Sequence, residues 1–182
     1  INFINFMDGL DGLVAGCLVI GFSVSAILFS APYSTWAFIG ALIGFLLWNW
    51  PPAKIFMGDI GSTFLGAFYC GIILQSESWG ESISMVLILT PLLADAFTCV
   101  IRRLYAQQNI FKPHKLHLYQ RLHQAGWSKS AISLSYISGC ALLAIFFILG
   151  GIRLLFIFVA VEIFAGFLLD QKLAIPFNNS TK

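Results

Sequence analysis

Charge is what this sequence has least of. Asp, Glu, Lys and Arg account for 10% of its 182 residues, against roughly 25% in a soluble domain. Hydrophobic residues account for 59%, and the mean hydropathy is +0.88. A chain this short has too little interior to hide so much apolar surface, which excludes an ordinary soluble fold. The formal net charge of +2 is too small for the electrostatic footprint of a nucleic-acid binder, so no nucleic acid is expected as a partner. Cysteine is scarce as well. Cys17, Cys70, Cys99 and Cys140 all fall inside apolar runs, where a thiol behaves as a small hydrophobe, and no disulfide framework is expected. Internal repeats and low-complexity tracts are missing. So are an initiating Met and a basic leader: the chain opens at Ile1 and meets its first polar motif before any hydrophobic run. It reads as lacking its true N-terminus.

Long apolar runs are what is there. Crossing roughly 30 Å of hydrocarbon takes about 20 helical residues. Six runs qualify, approximately Leu13 to Ser30, Ser34 to Trp50, Ile60 to Ser76, Ile83 to Ile101, Ala131 to Leu149 and Ile152 to Asp170. A backbone in lipid must satisfy its own hydrogen bonds, and these runs lack the alternation of a barrel strand, so each reads as a helix. The expected fold is an all-α, polytopic transmembrane bundle of about six membrane helices, with 1–182 forming the C-terminal part of one domain. Six crossings put segments of about 1–12, 51–59, 102–130 and 171–182 on one face of the membrane. Nine of the ten Lys and Arg residues (Lys54, Arg102, Arg103, Lys112, Lys115, Arg121, Lys129, Lys172 and Lys182) lie on that face, against Arg153 alone on the other. The positive-inside rule makes it cytoplasmic. Trp36, Trp48, Trp50, Trp79 and Trp127 sit near the expected helix ends, as an interfacial belt requires.

The cytoplasmic segments carry the chemistry. The first places Asn2, Asn5, Asp8 and Asp11 at every third position. On an α-helix each step of three turns by about 300°, so neighbours share a face; in a 3₁₀ turn they eclipse. Helix caps and Asp-Gly turns are the plain alternative. The second segment, Phe56-Met57-Gly58-Asp59-Ile60-Gly61-Ser62, leads into a membrane helix whose free N–H groups and dipole favour an anion. Asp59 with oxygens from the first segment would suit Mg²⁺, a hard cation that takes one or two carboxylates, phosphate oxygens and water. A simple cap is again the alternative.

The third segment is basic and carries His114, His117 and His123. Zinc is disfavoured, because neither a Cys nor a carboxylate stands beside His114 and His117 in the sequence and a structural site wants four ligands. A cationic clamp for a diphosphate is the functional reading; a basic loop that sets topology and touches anionic lipid is the plain one. Inside the membrane runs, Asp95 and Glu162 are functional hypotheses by default. Asp95 and Arg102 are about two turns apart and could support one another. A transporter using Asp95 and Glu162 is the alternative function, and a noncatalytic scaffold a third.

Together these motifs resemble the C-terminal half of the polyprenyl-phosphate N-acetylhexosamine-1-phosphate transferases, the glycosyltransferase family 4 enzymes that start peptidoglycan, common-antigen, teichoic acid and O-antigen assembly. The resemblance rests on Asn2-x-x-Asn5-x-x-Asp8-Gly9-x-Asp11-Gly12-Leu13, Phe56-Met57-Gly58-Asp59-x-Gly61-Ser62, Pro91-x-x-x-Asp95 leading to Arg102-Arg103, and Pro113-His114-x-x-His117. It implies Mg²⁺-dependent transfer of a sugar-1-phosphate from a UDP-N-acetylhexosamine to undecaprenyl phosphate, with release of UMP, in the bacterial inner membrane. By that analogy Asp59 binds Mg²⁺ with Asn5 nearby, Asp11 helps hold the uridine, Asp8 orders the same loop, and His117 and Arg121 face the diphosphate or sugar alongside His114. Two departures stand out. The adjacent aspartate pair of the family is missing, so this segment alone is expected to be inactive. The family's His-x-His-His run is replaced by His117-Leu118-Tyr119-Gln120, which resembles the branch used for O-antigen. Homodimer formation is left open.

Overall fold

The computed structural model describes residues 1–109, 112 and 114–177. Pro113 of the histidine motif and Lys182 of the charge pattern lie outside the described residues. The all-α expectation holds. Eight helices follow in order among the described residues: α1 (Asn2–Phe6), α2 (Leu13–Leu28), α3 (Tyr33–Asn49), α4 (Gly58–Ile73), α5 (Trp79–Ile88), α6 (Thr90–Tyr105), α7 (Leu118–Gln124) and α8 (Lys129–Lys172).

The centre of the bundle is α2. It is apolar all round, which suits a helix buried on every side, and eleven of its 16 residues are buried. It packs against α3, α4, α5 and α8. Phe22 lies edge-on to Phe38 and Tyr69, with ring centroids 5.1 and 5.3 Å apart. Gly16 lets α8 approach, since a Cβ there would meet the side chain of Ile137.

The fourth apolar run is not one straight helix, which corrects the sequence expectation. Here α5 and α6 meet at 77° about Leu89 (φ −89, ψ 15). Pro91 is the physical reason. It has no N–H to donate and its ring crowds the carbonyl four residues back, so one helix ends and another begins with Pro in its first turn. The Thr90 hydroxyl donates to the Leu87 carbonyl at 2.5 Å, satisfying one acceptor left at the end of α5.

The fifth and sixth runs form α8, 44 residues long, broken at Gly151 (φ 63, ψ −162). Beyond the break the chain folds back: Phe146 stacks on Phe158 and the Glu162 carboxylate lies against Gly139. The two halves make a hairpin whose turn falls where the sequence puts it. Among the described residues, α8 is the helix long and apolar enough to cross a membrane, and the bent pair α5–α6 qualifies as a second if taken as one broken span. The helices α2, α3 and α4 have 16, 17 and 16 residues. At about 1.5 Å per residue they reach about 24–26 Å, short of the roughly 30 Å of a hydrocarbon core. Only 22% of the most apolar window of α8 is buried inside the protein. That separates it from the core helix of a soluble domain; Leu149, Phe156, Ile157 and Phe164 all face outward.

Candidate functional site

The Asn/Asp ladder runs along α1 and the turns that follow it. The Met7 N–H donates to the Ile4 carbonyl and the Asp8 N–H to the Asn5 carbonyl, both at 3.1 Å. The second bond gives the step from Asn5 to Asp8 the tight three-residue repeat, whereas Asn2 and Asn5 lie on the α-helical turn of α1. Across from it, Gly58 takes φ +66, a conformation that glycine adopts without steric cost, and starts α4. Asp59 is exposed in the first turn of that helix, where the dipole favours a negative charge. Asn5 Nδ2 donates to Asp59 Oδ1 at 3.2 Å and to Ser62 Oγ at 2.9 Å. Burial, and after it the charge of Asp59, pushes the Asp8 carboxyl up to about 7.

Asn5, Asp8 and Asp59 are therefore brought together from two segments more than fifty residues apart. A carboxyl that resists ionising chiefly because it is buried, and secondly because of the charge of Asp59, belongs with Asp59 and the Asn5 amide to a set of oxygen donors whose charge a divalent cation would neutralise. The donor chemistry fits Mg²⁺. Asp11 stands aside from this group. Its Oδ2 accepts from Lys129 Nζ at 3.0 Å and from the Ala53 N–H at 3.4 Å, and its carbonyl accepts from Ser133 Oγ at 2.8 Å. It ties both loops to α8. Sequence reading missed Asn49, whose Oδ1 accepts from the Gly12 N–H at 2.9 Å and whose Nδ2 donates to the Ile55 carbonyl at 2.8 Å. The available signal was an amide at the end of an apolar run, which once buried must find partners.

In the third segment the expected Asp95–Arg102 support does not form. Asp95 is buried and caps α7 instead. Its Oδ1 accepts from the Leu118 N–H at 2.7 Å, and its Oδ2 from the Tyr119 N–H at 3.1 Å and the Tyr136 hydroxyl at 2.8 Å. Arg102 donates to Asp170, a residue the sequence did not single out. Arg121, expected at the diphosphate, is turned inward and is 3% exposed. Its Nε donates to the Leu116 carbonyl at 3.1 Å, its Nη1 to the Ile175 carbonyl at 2.9 Å, and its Nη2 to Asp170. It staples α7 to the end of α8.

His117 is also 3% exposed. Its Nδ1 has no hydrogen-bond partner and lies 3.6 Å from Asp95 Oδ1. The His114 ring is 5.0 Å away, centroid to centroid; burial, then the charge of His117, lowers the His114 pKa to about 4. In the sequence no Cys stands beside this histidine pair. The fold brings Cys99 of α6 to the pair, with one ligand atom from each of the three residues within 4.8 Å of the others. The intervening loop separates them in sequence and hides the association. Tyr119 joins the third segment to the first: it stacks on His117, donates its hydroxyl to the Phe6 carbonyl at 3.5 Å, and presses on Gly9. Among the described residues, no hydrogen bond links Asp11, His114, His117 or Arg121 to Asp59. Glu162 and Asp95 line a common cavity of about 220 Å³.

The ladder and the Asp59 motif both fall within residues 1–77, which match the family model described as glycosyl transferase family 4. The chain belongs to that family. This family 4 chain is 36% identical over 151 residues to the probable undecaprenyl-phosphate N-acetylglucosaminyl 1-phosphate transferase of Bacillus subtilis, a match covering 76% of the chain and 42% of that protein. It is 33% identical over 144 residues to the phospho-N-acetylmuramoyl-pentapeptide-transferase of Halalkalibacterium halodurans, covering 74% and 43% respectively. With the protein of the same name from Bacillus mycoides it shares 31% identity over 153 residues, 79% of the chain and 46% of the relative. The chain spans less than half the length of these relatives.

Proposed function

We propose that this family 4 chain is the C-terminal part of a multi-pass enzyme of the bacterial inner membrane. The enzyme transfers an N-acetylhexosamine 1-phosphate from a UDP-sugar to undecaprenyl phosphate, releases UMP and starts a surface glycan such as O-antigen. The observation that carries this reading is the convergence of Asn5 and Asp8 on Asp59. Family membership supports it, as does the name of the Bacillus subtilis relative, which pairs undecaprenyl phosphate with an N-acetylated sugar 1-phosphate.

Mg²⁺ held by Asp59 with Asn5 would supply neutralising charge to the diphosphate, which is the larger part of phosphoryl-transfer catalysis. Asn5 fixes the Asp59 carboxylate outward; Asp8 orders the loop between them; Asp11 holds the uridine. The exposed Lys112 and Lys115 draw the anionic donor toward the loop. Arg121 acts by holding that loop against α8. The acceptor phosphate oxygen forms its bond to the β-phosphorus as the bond to UMP breaks, and UMP leaves. In this reading α2, α3 and α4 reach across the bilayer with the turns that flank them, the bent pair forms the fourth span, and the hairpin of α8 the last two. The charged segments then share the cytoplasmic face. Transport through Asp95 and Glu162 is weaker, since three donors already engage the Asp95 carboxylate.

Membranes from cells expressing the complete reading frame, given Mg²⁺, undecaprenyl phosphate and radiolabelled UDP-N-acetylhexosamines, should form lipid-linked label and UMP. Asp59→Ala should abolish both. A well-folded protein that makes no lipid product from any donor would overturn the proposal.

A further inference from the structure

We propose that Cys99, His114 and His117 form a binding site for a thiophilic divalent cation such as Zn²⁺, separate from the oxygen donors at Asp59. The three come from different places in the fold. Cys99 lies on α6, His117 is the residue at the N-cap of α7, and His114 lies in the loop before it. Cys99 and His117 are each 3% exposed, and one ligand atom from each of the three residues lies within 4.8 Å of the others. Around a tetrahedral zinc, sulfur and nitrogen donors stand about 3.3–3.6 Å apart, so closing the site takes a movement of about 1 Å. His114, on a loop, is the residue free to make it.

A second observation points to a ligand. His117 Nδ1 is buried without a hydrogen-bond partner, 3.6 Å from Asp95 Oδ1. A slight approach would give that Nδ1–H a carboxylate acceptor, leaving Nε2 with a free lone pair. A carboxylate behind a ligating histidine is the arrangement that fixes tautomer and orientation in zinc sites. His114 Nδ1 likewise offers a lone pair, which among the described residues accepts from the Leu116 N–H at the long distance of 3.3 Å. Thiol and imidazole donors select zinc and related metals over Mg²⁺, so the two sites would not compete for one ion. Binding is proton exchange, with no electrons transferred: the Cys99 Sγ–H gives its proton to water as the sulfur–metal bond forms, and the histidines supply lone pairs. Three protein ligands leave a fourth position for water.

Co²⁺ titrated into the purified, untagged protein in detergent tests this. The expected result is one Co²⁺ per chain, with a thiolate-to-cobalt charge-transfer band displaced by Zn²⁺ and unaffected by Mg²⁺. Cys99→Ser should remove that band, whereas Cys17→Ala, Cys70→Ala and Cys140→Ala should keep it. His114→Gln, on the more exposed ligand, should weaken binding by more than about tenfold while leaving the thermal unfolding profile unchanged. Absence of a thiolate band in the wild type, or its survival in Cys99→Ser, would overturn the proposal. The titration contains no nucleotide sugar or lipid, so its outcome is independent of the transferase reading.

Discussion

Gly9 has no side chain because Tyr119 has taken the space. A Cβ there would collide with the Tyr119 hydroxyl, and the ring is 1% exposed with nowhere to retreat. Overpacking of this kind costs about 1–3 kcal/mol. Gly9→Ala should lower the thermal unfolding midpoint accordingly, and most of the loss should return in the double variant with Tyr119→Phe, which removes the colliding oxygen. Strict additivity of the two changes would show that they do not meet. Asp8 gives a second test. Its carboxyl titrates at about 7 in the fold against an ordinary 3.8, so between those values the folded chain holds more protons than the unfolded one. Its contribution to stability is therefore complete below pH about 4 and is lost as pH rises through about 7. Unfolding midpoints measured against pH without divalent cations should fall more steeply across that window in the wild type than in Asp8→Asn. In Asp59→Asn the fall should move to lower pH, because burial alone then raises the group.

Among the helices, α7 depends most on groups outside itself. Asp95 caps its start, and the Arg121 guanidinium fastens it to Asp170 and the Ile175 carbonyl. Removing one partner of a buried ion pair costs about 3–5 kcal/mol, so Arg121→Met should destabilise the protein by that order. Arg102→Met should cost about 0–1 kcal/mol, since the Arg102 side chain is 32% exposed and solvent screens its pairing with Asp170. Chemical denaturation of both variants checks the contrast, and Arg121→Lys should fail to rescue because a lysine cannot reproduce the three directed bonds. The same elements show what a sequence can reveal. Continuous apolarity exposes α2, and the Gly150–Gly151 pair exposes the hairpin turn. The Asn5–Asp59 meeting was legible because oxygen ligands clustered in two short motifs. Spacing misled at Asp95 and Arg102: they share a helix face, but Arg102 reaches Asp170, 68 residues away. The bend at Leu89 was written in Pro91, although the run around it reads as uninterrupted. Cys99 carried no signal, because its neighbours are set by a loop whose path only folding fixes.

At the scale of the whole molecule, apolar surface points outward from most helices while the Asn5–Asp8–Asp59 group sits at one end of the bundle. Tyr33, at the start of α3, is 93% exposed, and Lys54 is exposed in the turn beyond its other end. The 17 residues of α3 separate these points by about 25 Å along its axis, enough with the flanking turns to place them on opposite faces of a bilayer. In the proposed topology the positive-inside rule turns the Lys54 end to the cytoplasm. Single cysteines at the two positions decide the matter, with Cys70 replaced by Ser because it is the native thiol that is not buried. A membrane-impermeant maleimide should label Tyr33→Cys in spheroplasts, and Lys54→Cys only after permeabilisation. Labelling of both from one side would mean that α3 does not cross. The reversed pattern would keep the crossing but overturn the proposed orientation, in which the Asp59 end meets a cytoplasmic donor.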